Sequence, residues 1–267
     1  MTEEEDNWGL IAKGSHILGI VRPGTEDHHN LAFGFLRAGL NKGEMAVYVT
    51  NEDQSLVKRT LEKRWGGTFL REAEEKLRIL SSRSVCPPGL KPADAISAFT
   101  EMYMRATSSG FTGLRIADIT FLGVEEGHLQ SIVDCDRAYD ALELGSTALC
   151  MYQGPETYDF DLFVKLLLCH SAIIDHRLHQ LRLRESFLRD AIYLALGEIF
   201  GENGAKAVLL DLTRLADARS TEDFLFRVQE EPMLLYRTMN VMFGQPSNGI
   251  CELIKDKLTE MVKRFRS

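Results

Sequence analysis

SHILGIV (15–21), RPGTEDHHN (22–30), LAFGFLRAGLNKG (31–43) and EMAVYVT (44–50) follow one another in the stretch that decides the fold. An apolar run, a polar loop, an amphipathic run and a second apolar run rich in Val and Tyr predict a strand–loop–helix–strand unit. Outward from this unit, strand and helix patterns alternate about five times, which favours a mainly parallel sheet flanked by helices. The predicted strands are His16–Val21, Met45–Thr50, Leu77–Ser81, Leu114–Leu122, Thr147–Gln153 and Ala172–His176.

The pattern changes near residue 181, where the strand signal stops. The charge changes there too, since 18 Lys and Arg stand against 26 Asp and Glu up to Gln180, while each class counts 13 afterwards. We therefore predict an acidic lead-in at 1–13, an α/β domain at 14–180 and a small all-α domain at 181–267. Its predicted helices are Glu185–Phe200, Gly204–Leu215, Thr221–Val228, Met233–Phe243 and Gly249–Phe265.

Two Phe-Gly pairs in the C-terminal part have similar surroundings. Phe200-Gly201 and Phe243-Gly244 each stand at the end of a predicted helix, before a short polar turn and a new amphipathic helix. Gly supplies the left-handed residue that often ends a helix. The likeness fits either an internal duplication or the common pattern of helical hairpins.

Composition excludes several classes of protein. The net charge of −8 argues against a general nucleic-acid or membrane-surface binder. No apolar run reaches the roughly 18 residues that span a bilayer, and the acidic start is not a signal peptide. The cysteines are dispersed without a CxxC pair, which predicts reduced thiols and a cytoplasmic location. They are Cys86, Cys135, Cys150, Cys169 and Cys251.

The loop after the first strand lacks the features of a phosphate-binding loop. A P-loop needs GxxxxGK[ST], and VRPGTEDHHN has neither the Lys nor the second Gly. Its two acids would repel a triphosphate, so we do not expect ATP hydrolysis. Glu26, Asp27, His28 and His29 could hold a metal, or they could form an acidic helix start. Adjacent histidines on a helix point in different directions, so we do not expect His28 and His29 to bind the same metal ion.

Ligands in sheets of this class bind outside the carboxyl ends of the strands. We therefore take as candidates the polar residues that follow the carboxyl ends of the strands, together with the polar residues that are expected to be buried within the strands. His16, Cys150, Tyr152 and His170 fit either a ligand site or a core, and Arg115 and Asp118 need either a ligand or an internal ion pair. No catalytic triad, cofactor or defined metal is indicated. The ligand-binding candidates are His16, Arg22, Glu26, Asp27, His28, His29, Arg115, Asp118, Cys150, Tyr152 and His170.

Several short motifs stand in the order found in one sensory family. They are the Gly-x-His-Ile type start at His16, Gly39-Leu40 with Gly43-Glu44, Gly113-Leu114-Arg115, Cys150 with Tyr152, and His170. Over about residues 14–178 the chain resembles the MEDS domain of methanogens and methylotrophs, named for the dichloromethane-responsive repressor family. One departure is that Arg22-Pro23-Gly24 occupies the region where the family usually has an aromatic residue.

The resemblance implies a RecA- or KaiC-like fold without a working P-loop, and sensing of a small molecule, with hydrocarbon derivatives proposed as ligands. The tail resembles a helical output domain of archaeal signalling proteins. We therefore expect a cytoplasmic sensor in signal transduction or transcription regulation, not an enzyme. A protein partner or a second subunit would read the helical domain. The alternatives are a metal- or nucleotide-dependent hydrolase using Glu26 to His29, and a non-catalytic oligomerisation module.

Overall fold

The structure is a computed structural model that describes residues 8, 11, 13–22, 25–85, 87, 91–119, 126–140, 145–153, 158–175, 180–182 and 187–264. The chain forms two compact units, one of Met1–Gly154 with Cys169–Gln180 and the other of Pro155–Leu168 with Leu181–Ser267. Most of the predicted lead-in, Pro23-Gly24 and the end of the strand predicted to reach Leu122 lie outside the described residues.

The first unit is built on a parallel sheet. Six strands stand in the order β3-β2-β4-β5-β1-β6, and a short strand, β7, follows β6. Each register that joins neighbours among these six strands is parallel. The strands are β1 (His16–Ile20), β2 (Met45–Thr50), β3 (Leu77–Ser81), β4 (Leu114–Asp118), β5 (Thr147–Tyr152), β6 (Ala172–Asp175) and β7 (Gln180–Arg182). The predicted fold class is therefore confirmed.

Both faces of the sheet are covered, which is why every residue of β1, β4 and β5 is buried. On one face Tyr48, Ala117 and Leu149 pack in a core with the first two helices. On the other face Val47, Ile116 and Ala148 pack with the next long helices. The helices of this unit are α1 (Asp27–Asn41), α2 (Gln54–Trp65), α3 (Gly67–Ala73), α4 (Ser82–Val85), α5 (Pro92–Ser108) and α6 (Glu126–Asp140).

Local signals set the ends of these helices. The sequence predicts a helix from about Gln54 to Trp65. The Asp53 carboxylate accepts hydrogen bonds from the amides of Ser55 and Leu56, which starts α2 at that first residue. Gly66 at φ 81° then ends α2. The α6 helix is predicted from Glu125 to Leu144 and is observed from 126 to 140, with 141–144 outside the described residues.

The second unit is helical. Its helices are α7 (Phe160–Leu168), α8 (Phe187–Leu215), α9 (Thr221–Glu230), α10 (Met233–Phe243) and α11 (Ser247–Arg264). The predicted boundary places α7 in the α/β domain, whereas the structure groups α7 with this unit because it packs on α9 and α11. No helix in the described part of the chain is both long enough and apolar enough to cross a membrane.

Candidate functional sites

At the carboxyl edge of the sheet, two histidines meet one carboxylate. His28 and His29 lie in the first turn of α1, and Glu52 follows the end of β2. The Nε2 of His28 is 3.2 Å from Glu52 Oε1, and the Nε2 of His29 is 2.8 Å from Glu52 Oε2. The expectation that adjacent histidines diverge is wrong here, since their ring centroids are 4.2 Å apart. We call His28, His29 and Glu52 the edge cluster.

The edge cluster is partly open to solvent. The side chains of His28 and Glu52 are 15% and 29% exposed, and that of His29 is 11% exposed. Burial lowers the pKa of His29 and outweighs the opposing effect of the hydrogen bond with Glu52. The ligand atoms of the three residues lie within 4.8 Å of one another, so they could hold a metal ion.

Beside this cluster, Arg22 and Asp27 form a two-point ion pair. Arg22 donates from Nε to Asp27 Oδ2 at 2.8 Å and from the guanidinium NH2 group to Oδ1 at 3.2 Å. The hydrogen bond to Asp27 raises the pKa of Arg22. Asp27 is buried at the start of α1 and paired with Arg22. Glu26 directly precedes α1.

A second group of titratable side chains is buried between the sheet and α6. His16 opens β1, Cys150 lies in β5, His170 precedes β6 and Asp136 projects from α6. His16 Nε2 is 3.4 Å from Cys150 Sγ and 3.9 Å from Asp136 Oδ1. Cys150 Sγ is 3.5 Å from Asp136 Oδ1, and His170 Nε2 is 3.4 Å from Asp136 Oδ2. We call His16, Asp136, Cys150 and His170 the buried cluster.

Tyr152 supports this cluster from β5. Its hydroxyl donates a 2.6 Å hydrogen bond to Asp136 Oδ2. Burial raises the pKa of Cys150 and of Tyr152, and the charge of Asp136 adds to both shifts. Burial also raises the pKa of Asp136, but the hydrogen bond and charge of His170 outweigh that effect and hold this pKa below its usual value. Asp136 is therefore the anionic centre of the cluster.

Arg115 and Asp118 are not members of either cluster. Arg115 points to the face covered by α1, where its guanidinium pairs with Glu44. It is therefore in an internal ion pair, one of the two alternatives left open by the sequence. Asp118 ends β4 and stands in register with Cys150, and it is buried.

The eleven candidates thus fall into separate groups and do not form one site. Sequence reasoning missed Asp136, although Val133, Asp136 and Tyr139 recur at helical spacing and all three are buried. That period could have marked Asp136 as a charge on an apolar helix face. Sequence reasoning also did not single out Glu52, although this residue follows the carboxyl end of β2, where ligands of such sheets bind.

Surface clefts lie elsewhere in the α/β unit. One cleft of about 780 Å³ runs along α2, α3 and β3, where Lys58, Arg59 and Arg71 meet Glu62 and Glu74. Another of about 320 Å³ lies between β2, β3 and α5. Neither is lined by a member of the edge cluster or the buried cluster.

Comparisons with known proteins give one family. The family model described as MEDS, the MEthanogen/methylotroph, DcmR Sensory domain, matches residues 16–171. Among solved structures, the KaiC-like protein PH0186 from the hyperthermophilic archaeon Pyrococcus horikoshii OT3 is similar, with 18% identity and a TM-score of 0.40. That match covers 61% of this chain and 71% of the other. A comparison with curated proteins finds no match.

Proposed function

Because the chain belongs to the MEDS family of sensory domains, we propose that it is a cytoplasmic signal-transduction protein that binds a small molecule at the edge cluster. In this proposal the α/β unit recognises the ligand and the helical unit passes the signal to transcription regulation or another output. A ligand shifts such a protein only by binding one of its states more tightly than the other.

The convergence of His28 and His29 on Glu52 carries this proposal. The three groups stand at the carboxyl edge, where ligands of open α/β sheets bind. They are partly exposed, so a small molecule can reach them, whereas the buried cluster is closed. A core does not need three titratable side chains at one point, and such groupings are common at functional sites.

Charge indicates the class of ligand. The carboxylates at this edge are Glu26, Asp27, Glu52 and Asp53, and the only Arg or Lys in 22–30 and 50–54 is Arg22, which is already paired with Asp27. Arg64 of α2 also reaches this edge, where it donates to Asn30, so the four carboxylates outnumber the two arginines and an anion such as phosphate is disfavoured. A small organic cation would be attracted, and protonated methylamine is the simplest member of that class.

The test is a titration of the full chain followed by protein NMR. The probes are methylammonium, methanol, dichloromethane and, as the anionic control, inorganic phosphate. We expect methylammonium to shift the His28 and His29 resonances in the wild type and in Glu101→Gln, a matched change on the exposed surface of α5. Glu52→Gln should weaken that binding at least about tenfold, the effect of losing one charged hydrogen bond. Binding of phosphate alone, or no shift with any probe, would refute the proposal.

The helical unit gives a separate prediction. We expect it to join a second copy of the chain or a protein partner, and not nucleic acid, because the residues from 181 onward carry no net charge. Sedimentation of the full chain checks this. If the chain stays monomeric at all concentrations, self-association is ruled out and only a different protein partner remains.

A second candidate function is a metal-assisted hydrolase. Two histidines and one glutamate make a ligand set used by catalytic zinc, with an open position for water, and the edge cluster has this composition and is partly exposed. Zinc-loaded protein that hydrolyses a phosphate ester or a peptide, with loss of turnover in Glu52→Gln, would favour this function over sensing.

A further inference from the structure

We propose that the buried cluster is a closed, four-ligand site for a divalent transition-metal ion of the zinc class. The four residues come from β1, α6, β5 and the segment just before β6, so they meet only in the folded chain. This site is separate from the edge cluster, and neither proposal depends on the other.

Three of the four contact distances within the cluster lie in the range that a tetrahedral ion requires, and the fourth is slightly longer. Zinc bonds of about 2.0–2.3 Å to nitrogen, oxygen and sulfur place neighbouring ligand atoms roughly 3.3–3.8 Å apart. The contacts of His16 with Cys150 and of Cys150 with Asp136 are 3.4 and 3.5 Å. Those of His170 and His16 with Asp136 are 3.4 and 3.9 Å. All four ligand atoms lie within 4.8 Å of one another.

The directions of the side chains agree with the distances. His16 and His170 have ring centroids 4.1 Å apart, and both present Nε2 to Asp136. His16 stands in register with Ala148 in the parallel pair of β1 and β5, and Cys150 lies two residues further along β5, so His16 and Cys150 share one face of the sheet. Asp136 reaches that face from α6, so the four ligand atoms are brought together by different elements of the fold.

The charges balance in a way that suits a buried site. Two neutral imidazoles, one thiolate and one carboxylate carry two negative charges, which a divalent ion neutralises. The side chains of His16, Asp136 and His170 are 2%, 9% and 0% exposed. A closed site with four protein ligands is typical of structural rather than catalytic zinc.

The ligand types select the metal. Imidazole and thiolate favour zinc and related ions over magnesium and calcium, which prefer oxygen ligands. The Tyr152 hydroxyl holds Asp136 Oδ2, as the outer partners of metal-binding carboxylates do. Cys169 Sγ lies 3.3 Å from Nδ1 of His170, on the ring atom that faces away from the cluster.

The test uses full-length protein in a His28→Ala/His29→Ala background, which removes the edge cluster as a source of bound metal. Purified protein is stripped and reloaded with zinc or cobalt. We expect one metal ion per chain by elemental analysis, and cobalt spectra with visible bands of a tetrahedral ion and an ultraviolet thiolate charge-transfer band. Cys150→Ser should lose the charge-transfer band, while the matched change Cys169→Ser, one residue from His170, should keep it.

A second measurement covers the possibility that Cys150→Ser does not fold. X-ray absorption of the zinc-loaded background protein should show one sulfur neighbour at about 2.3 Å together with nitrogen or oxygen neighbours at about 2.0–2.2 Å. Folded protein that binds no zinc or cobalt, a first shell without sulfur, or a charge-transfer band that survives in Cys150→Ser would overturn the proposal.

Discussion

Arg115 donates from Nε to Glu44 Oε2 at 2.6 Å, and both side chains are buried beneath α1. The guanidinium also stacks on the ring of Phe35, with Cζ 4.7 Å from its centroid, and donates to the Phe35 carbonyl at 3.3 Å. Two buried charges are thus paired and partly covered by hydrogen bonds, which is the condition under which a buried ion pair is tolerated.

Breaking this pair should be costly, whereas removing both charges should not. Arg115→Leu or Glu44→Leu alone leaves one unpaired buried charge, so we expect each to lower the free energy of unfolding by about 3–5 kcal/mol. The double substitution should cost much less than the sum of the two. Urea unfolding of the four proteins measures the coupling, and additive effects would show that the pair does not act as a unit.

Gly39 leaves room for this ion pair. A Cβ on Gly39 would lie 2.6 Å from Arg115 Cδ and 2.7 Å from Glu44 Oε2, and a non-bonded contact of a carbon atom at these distances is a steric clash. Gly39→Ala should therefore destabilise the α/β unit by about 1–3 kcal/mol through overpacking. Gly197→Ala is the control, since a Cβ there meets nothing within 4 Å, and in a helix it should be neutral or stabilise by up to about 1 kcal/mol. Equal effects in thermal unfolding would contradict this account.

In the helical unit, the two Phe-Gly corners meet. The rings of Phe200 and Phe243 stack with centroids 5.6 Å apart. The following glycines have φ 69° at Gly201 and 66° at Gly244. We predict that Ala at either glycine costs about 1–3 kcal/mol because of backbone strain. Gly249→Ala, where a Cβ meets open space and φ is not positive, should be tolerated, and a matching loss there would remove strain as the cause.

The buried thiol of Cys251 gives a pH-dependent prediction. Burial raises the pKa of Cys251 from 9.0 to about 12. The unfolded chain loses this proton first, so the contribution to stability is complete below pH 9.0 and falls as the pH rises toward 12. The wild type should lose stability across that window faster than Cys251→Ala. Parallel stability curves for the two proteins would contradict this prediction, because they would show that folding does not shift the pKa of the thiol.

Much of the fold is predictable because the signals are local. Asp53 and Gly66 mark both ends of α2, and Gly244 marks the end of α10, so the predicted and observed bounds of these helices agree. The break inside α8 falls at Gly201, between the two helices predicted there. The assignment of α7 to the helical unit could not be predicted, since it depends on packing against α9 and α11, which are distant in sequence.

The candidate sites were predictable only as separate residues. Alternation puts Cys150 and Tyr152 on one face of β5, but nothing local shows that α6 covers that face and brings Asp136 to Cys150 and Tyr152. The histidines of α1 show the same limit. Their convergence depends on Glu52, which lies 24 residues after His28 in the chain and reaches it only across the edge of the sheet.

The claim that a small molecule binds at the edge cluster is tested most directly by hydrogen exchange of the full chain with and without methylammonium. We predict slower exchange in residues 25–31 and 50–53 and no change in residues 58–79, which form most of the lining of the 780 Å³ cleft. Protection confined to 58–79, or no protection in either segment, would contradict the claim.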